Sequence, residues 1–397
     1  MFRISKRMSV IEESPTLATS AKVKEMKEKG KDIISLTVGE PDLETPKEVK
    51  DAAVAAILDN RANHYTPTAG IMPLRQAIVD YHKKYDKIEY EANQVIVTEG
   101  AKNALYTLFQ VILDPGDEVL IPSPYWVSYT EQVKLAEGVN VLVTSTPENQ
   151  FKVTVADLES KRTERTTALV LNSPNNPTGT VYTKKELESI GNWAVEHGII
   201  IVADEIYYNL CYNGNEAVSM ASISDRIKEQ TIIINGVSKS YAMTGWRIGY
   251  AIGDKQVISK MIELSSHSTS NPAGPSQYAA LAAISGDQKF VTELRETFEK
   301  RLNYFYPLVE KIPGFKVTKP QGAFYIFANC KEAAEIAGYS SVSEFALALI
   351  EEAQVAVVAG EGFGFSDYIR ISYTLEEKQL KEAVSRINQF MEKKTKG

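Results

Sequence analysis

From about residue 94 the chain repeats one pattern: a short β-branched apolar run, a cluster of turn residues, then a stretch with helical spacing of its apolar positions. The runs fall at 94–98, 118–122, 139–144, 167–172, 199–204, 231–235 and 248–252, and predict seven strands of one large sheet. Alternation of strands with helices is the signature of parallel α/β architecture. Runs such as IIIVAD and TIIIN are apolar throughout, as expected of strands covered by helices on both faces.

Past residue 253 the texture changes. Helical stretches at 255–265, 276–285 and 289–312 precede GFKVTKP, GAFYIFANC, VAVVAGEGFG and DYIRISY, which together read as a smaller α+β unit. The N-terminal stretch, with a helix over 17–29 and a short VGEPD turn, has no strand partner in its own neighbourhood and is expected to pack on the C-terminal part. The boundaries predicted are 46–285 for the large domain, with 1–45 and 286–397 forming the small one.

Composition narrows the class. A length of 397 residues suits two to three domains. With 44 Lys and Arg against 51 Asp and Glu the net charge is −7, so no global positive field attracts nucleic acid or an anionic membrane surface. Any anion must be held locally. Cys211 and Cys330 lack CxxC spacing and point to a reducing compartment. Neither an apolar leader nor a run of about 18 apolar residues is visible, and a cytoplasmic protein without a membrane anchor is expected.

Several apparent motifs fail. GVSKS at 236–240 lacks the second glycine of a nucleophile elbow, and the same segment lacks the glycines of a P-loop. GEGFG at 360–364 has no βαβ unit after it and reads as a loop with positive φ. His64, His82, His197 and His267 share no ligand spacing and read as ordinary helix or loop residues, so no metal is expected.

The constellation that holds lies at the carboxyl ends of the strands, where open parallel sheets bind ligands. One strand is followed by Thr98-Glu99-Gly100-Ala101-Lys102, and a helix start after glycine offers free amides to an anion. Another is followed by NSPNNPTG (172–179), a third by Asp204-Glu205-Ile206-Tyr207, and a fourth by Ser238-Lys239 with Arg247 beyond. Singly these are a cap, a turn residue and surface charges. Jointly they suit one ligand carrying a phosphate, an electrophilic carbonyl, a ring nitrogen that pairs with a carboxylate and a ring oxygen that accepts donors. Pyridoxal phosphate (PLP) has all four features.

With VGEPD (38–42), YTPTAGI (65–71), PGDEVLIPSPYWVSY (115–129), VADEIY (202–207), SKSYAMTGWRIGY (238–250) and YIRISY (368–373) in this order, the chain resembles the fold-type-I PLP-dependent aminotransferases of the aspartate aminotransferase family. The resemblance covers nearly the whole chain. It implies a PLP-dependent transferase fold of type I: a large, mostly parallel seven-stranded sheet sandwiched by helices, plus the smaller α+β domain. It implies that Lys239 bonds to the cofactor, Asp204 pairs with the ring nitrogen, and Tyr207 and Asn176 hold the ring oxygen. Trp126 stacks on the ring, while Arg247, Ser238 and the turn Gly100, Ala101 and Lys102 hold the phosphate. Tyr65 reaches the phosphate of a neighbouring subunit, which implies a homodimer with shared sites. Arg370 and Gly39, with Asn176 and Trp126 nearby, clamp the substrate α-carboxylate, and Lys102 reads a distal carboxylate with Thr16 closing over it.

One departure stands out. Many relatives carry Ser or Thr three residues before the lysine, where this chain has Gly236. The expected reaction passes an amino group from aspartate to 2-oxoglutarate by a ping-pong mechanism. Prephenate, aromatic or broad-specificity transamination and a β-lyase on the same fold are the alternatives. A ligand-sensing regulator would need an added DNA-binding module, for which the first 30 residues are too short.

Overall fold

The computed structural model describes residues 2–13 and 15–396, without the side chains of Pro15 and Thr16. A short strand, β1 (Ile34–Ser35), precedes seven that form the central sheet. They are β2 (Val95–Thr98), β3 (Glu118–Ser123), β4 (Val139–Thr144), β5 (Thr166–Asn172), β6 (Ile200–Asp204), β7 (Thr231–Gly236) and β8 (Gly249–Ile252). Each lies within one residue of its expected ends.

The sheet order is β2-β8-β7-β6-β5-β3-β4. Strands β3 to β7 pair in parallel, whereas β8 runs antiparallel to both β7 and β2. The parallel grammar of the sequence therefore fails at its last strand. A parallel return needs a crossover of a dozen or more residues, usually a helix. Residues 237–248 are folded into turns instead, so the chain doubles back.

Both faces of the sheet are covered. The helix Ala101–Ile112 turns Ala104, Leu105, Leu108 and Phe109 onto one face, against Ile96, Val119, Ile121 and Ile234. The helix Lys184–Glu196, started by a capping box between Thr183 and Glu186, sets Leu187, Ile190 and Ala194 on the other, against Leu120, Leu169 and Ile201. Leu105 is fully buried, and truncating such a leucine to alanine costs about 2–5 kcal/mol.

In the C-terminal part, β9 (Lys316–Val317), β10 (Tyr325–Asn329), β12 (Val358–Ala359) and β13 (Tyr368–Ser372) form an antiparallel sheet in the order β12-β13-β10-β9. The remaining strand, β11 (Val355–Ala356), pairs in parallel with β1, so the N-terminal stretch does pack on this part. The long helix Lys289–Val309 ends before residue 312 because Pro313 disfavours helical backbone at its predecessor. Residues Gly360–Phe363 make a single turn, and only Gly364 of GEGFG takes positive φ, at 83°. No helix among the described residues is long and apolar enough to cross a membrane.

His82 is a helix residue, as expected, and the fold gives it two buried partners. It is buried, with Nδ1 2.6 Å from the Asp86 carboxylate and Nε2 3.1 Å from the Tyr250 hydroxyl.

Candidate active site

Strands β2, β5, β6 and β7 all point their carboxyl ends at one cleft of about 290 Å³. Its first wall is the start of the helix Ala101–Ile112. Gly100 stands before it at φ 82° and ψ 162°, a backbone region essentially confined to glycine, where an L residue is strained by roughly 1–3 kcal/mol. A Cβ on Gly100 would also lie 2.7 Å from Arg247 Nη2 and so displace the guanidinium. Gly249 is needed for a similar reason: its Cβ would fall 2.2 Å from the Ala101 nitrogen. The free amides of the helix and the Arg247 guanidinium therefore share one corner. Arg247 itself has φ 55°, donates from Nη1 to Thr244 O at 3.1 Å, and is exposed toward the cleft.

Asn172, at the end of β5, fastens the next two loops. Its amide donates to Asp204 O at 3.0 Å, and its Oδ1 accepts from the Asn176 backbone at 2.9 Å. Asp204, at the end of β6, is buried, and its Oδ2 accepts from Tyr129 Oη at 2.5 Å. Burial lifts its pKa to about 6, against the pull of Tyr129, the Ile206 amide and the Lys239 charge. An acid of this kind takes readily to a cationic partner.

Lys239 follows β7. It is partly buried, and Nζ donates to Gly39 O at 2.6 Å. Loss of hydration brings its pKa down to about 8, with Arg247 and Arg370 adding to the fall and Glu40 and Asp204 opposing it. Roughly a tenth of such an amine is free base at pH 7, against well under a thousandth for an ordinary lysine.

Arg370 enters from β13. Its guanidinium is buried, donates to Asn176 Oδ1 and to Thr37 O at 3.0 Å each, and lies 4.5 Å from the Tyr325 ring. Its Nε has no partner, and among the described residues no carboxylate pairs with it. A buried cation without a counter-ion is costly, so the cleft is built for an anionic group. Lys102 is a second cation without an ion pair among the described residues. It is exposed at the cleft, with Nζ 5.0 Å from the centre of the Trp126 ring.

The cleft thus brings together Gly39, Ala101, Lys102, Trp126, Asn176, Asp204, Tyr207, Ser238, Lys239, Arg247 and Arg370. Tyr65 does not join it within its own chain and is 96% exposed. The side chain of Thr16 lies outside the described residues, and its neighbour Leu17 lines the cleft. Two tyrosines at the cleft escaped the sequence reading. Tyr129 packs edge-on against Trp126 at 5.3 Å, and their i, i+3 spacing in PYWVSY was the available signal. Tyr325, which shares a hydrogen bond of 2.9 Å with Tyr207, reads in GAFYIF as any strand residue.

The family model for aminotransferases of class I and II matches residues 31–387. The chain belongs to this family. The aminotransferase is 52% identical over 391 residues to the aspartate aminotransferase of Bacillus subtilis, covering 98% of this chain and 99% of the relative. It is 50% identical to the asparagine–oxo-acid transaminase of Streptococcus mutans, over 99% of this chain and 100% of that one. Among solved structures, the aspartate aminotransferase of Thermus thermophilus with maleate superposes with a TM-score of 0.93 at 40% identity, over 98% of this chain and 100% of that chain. The fold is that of the type-I PLP enzymes, and the protein is a PLP-dependent aminotransferase.

The residues present fit that cofactor. The buried Asp204 carboxyl, the Lys239 amine and the Arg247 guanidinium line one cleft, and Arg370 Nε lies buried there without a partner, a donor set that suits a phosphorylated pyridine aldehyde and its carboxylate substrate. Gly236 has its own reason for lacking the hydroxyl of many relatives: a Cβ there would lie 2.8 Å from Ile248 O on the returning strand.

Proposed function

We propose that this aminotransferase takes aspartate as amino donor and 2-oxoglutarate as acceptor, and the observation that carries the reading is Lys102. Arg370 suits the α-carboxylate that every amino acid carries. Lys102 adds a second cation in the same cleft, without an ion-pair partner among the described residues. A substrate with two carboxylates satisfies both. The amide of asparagine accepts a hydrogen bond but leaves the lysine charge unpaired, which argues for aspartate over asparagine. Prephenate, with two carboxylates, is the further acceptor this charge pattern allows.

When bound, PLP supplies an aldehyde that exchanges amines and a ring that accepts electrons. Lys239 would hold the cofactor through Nζ, and as a free amine it would take the proton from the substrate Cα and hand it on to the carbon that receives the amino group. Its lowered pKa leaves enough free base for both tasks. Asp204 keeps the ring nitrogen protonated, and Tyr129 holds the carboxylate in line. The Asn176 Oδ1 is taken by Arg370, which leaves Nδ2 to donate to the ring oxygen beside Tyr207. Trp126 packs on the ring. Arg247, Ser238 and the amides of Ala101 and Lys102 would hold the phosphate, whereas the Gly100 amide expected among them is taken by Thr98 O at 2.8 Å; Arg370 and Gly39 would hold the α-carboxylate.

The same reading makes the enzyme a cytoplasmic homodimer in which Tyr65 serves the partner's phosphate, in keeping with a tyrosine left 96% exposed. It divides the chain at 46–285 against 1–45 with 286–397, in keeping with a core around Phe298, Phe324, Phe345 and Phe390 to which the large domain adds the buried residues Ile206, Tyr207, Leu210 and Tyr212. The test is to mix holoenzyme with aspartate, asparagine, alanine and phenylalanine in turn and follow the loss of the lysine-bound cofactor's visible absorbance. Aspartate should convert it at the highest kcat/KM. Preference for asparagine or phenylalanine would overturn the assignment.

A further inference from the structure

The segment TPKE at 45–48 reads as a helix start, with threonine as cap, proline in the first turn and glutamate three residues on. Its hydroxyl does something else. The helix Lys47–Leu58 begins without any side-chain cap, and Thr45 Oγ1 crosses to a loop nearly 200 residues away. There it donates to Ala242 O at 2.7 Å and accepts from Trp246 Nε1 at 3.2 Å. A threonine hydroxyl has one proton to give, and here that proton and an acceptor site both go to the loop.

That loop runs from Lys239 to Arg247, and two of its residues are L residues in the left-handed region: Ala242 at φ 51° and Arg247 at φ 55°. Such conformations persist only where surrounding contacts over-determine them. The Thr45 bonds land on Ala242 itself and on the residue before Arg247. They also bracket Thr244, whose carbonyl accepts from Arg247 Nη1 at 3.1 Å.

We propose that Thr45 is a positioning residue for cofactor binding: by fastening both ends of the 242–246 loop it holds the Arg247 guanidinium at the phosphate corner. The inference rests on the reading that Arg247 binds the phosphate. Thr45→Val keeps the side-chain shape and removes both bonds, whereas Thr45→Ser keeps both. Trp246→Phe removes one and serves if Thr45→Val fails to fold.

The experiment strips the full-length enzyme of cofactor and titrates it with PLP and with pyridoxal, which lacks the phosphate. Thr45→Val should bind PLP about tenfold more weakly while pyridoxal affinity stays unchanged. Trp246→Phe should show a smaller loss of the same kind, and Thr45→Ser should match the parent. Arg247→Gln is the control and should lose PLP affinity alone. Unchanged PLP affinity in both Thr45→Val and Trp246→Phe, or equal losses for PLP and pyridoxal, overturns the inference while leaving the site reading intact. If Arg247→Gln fails to discriminate the two ligands, the phosphate assignment falls and the inference falls with it.

Discussion

Replacing Lys102 tests the substrate assignment most directly, because its effect should depend on which substrate is offered. A charge-assisted hydrogen bond is worth about 1.5–3 kcal/mol, which corresponds to about 10- to 150-fold in kcat/KM. Lys102 is exposed at the cleft, so solvent screens part of that and the lower end, about 10- to 30-fold, is expected with aspartate. Two other effects are common to every substrate. The ammonium lies 5.0 Å from the Trp126 ring centre, a contact of about 0.5–1 kcal/mol that vanishes on substitution. Partial burial lowers the Lys102 pKa and the Arg247 charge adds to the fall, so removing the ammonium relieves some repulsion at the phosphate corner. These common terms are measured with phenylalanine or alanine, which have no distal carboxylate. Steady-state kcat/KM for Lys102→Ala should therefore fall at least tenfold more with aspartate than with phenylalanine. The KM for 2-oxoglutarate should rise in step, since both half-reactions use the same site. Equal losses for both amino acids would move Lys102 to cofactor binding and withdraw the acidic-substrate reading.

Three further outcomes follow from the geometry. Tyr129→Phe removes the 2.5 Å bond that favours the ionised Asp204, so in the cofactor-free enzyme that carboxyl should rise further above about 6 and the pH profile of PLP affinity should begin to fall at a higher pH than in the parent. An unshifted profile in a folded variant would refute this. Burial, with Asp86 nearby, lifts the Glu205 pKa from 4.5 to about 8, so its contribution to stability is full below the unfolded value and is lost as pH rises toward 8. Melting temperature should decline over that window and flatten in Glu205→Gln, with at most roughly 5 kcal/mol at stake; parallel curves would contradict the argument. Last, a heterodimer of Tyr65→Phe and Lys239→Ala should recover near half of parental activity, because shared sites gather both lesions into one; activity no better than the Tyr65→Phe parent argues against sharing.

Much of this enzyme is written locally. The seven strands stand in the sequence almost residue for residue because six of them are short apolar runs buried on both faces, and only the edge strand β4 leaves Val139 and Leu142 exposed. The chemistry is legible for a related reason: a polar residue placed directly after a buried strand has few places to go other than the ligand end of the sheet, as Asp204 and Lys239 show. What local pattern cannot express is direction and distant partnership. The reversal of β8 depends on residues 237–248 being committed to the loop of Lys239 and Arg247, a demand set by the site and not by strand propensity. Tyr129 looks like a helix residue and Tyr325 like a strand residue until the fold carries one to Asp204 and the other to Tyr207. Thr45 spells a helix cap, yet its hydroxyl is claimed by a loop nearly 200 residues away, and His82 spells an ordinary helix position that the fold buries against Asp86 and Tyr250. In each case one side chain has two possible partners, a local one visible in the sequence and a remote one that only packing brings within about 3 Å.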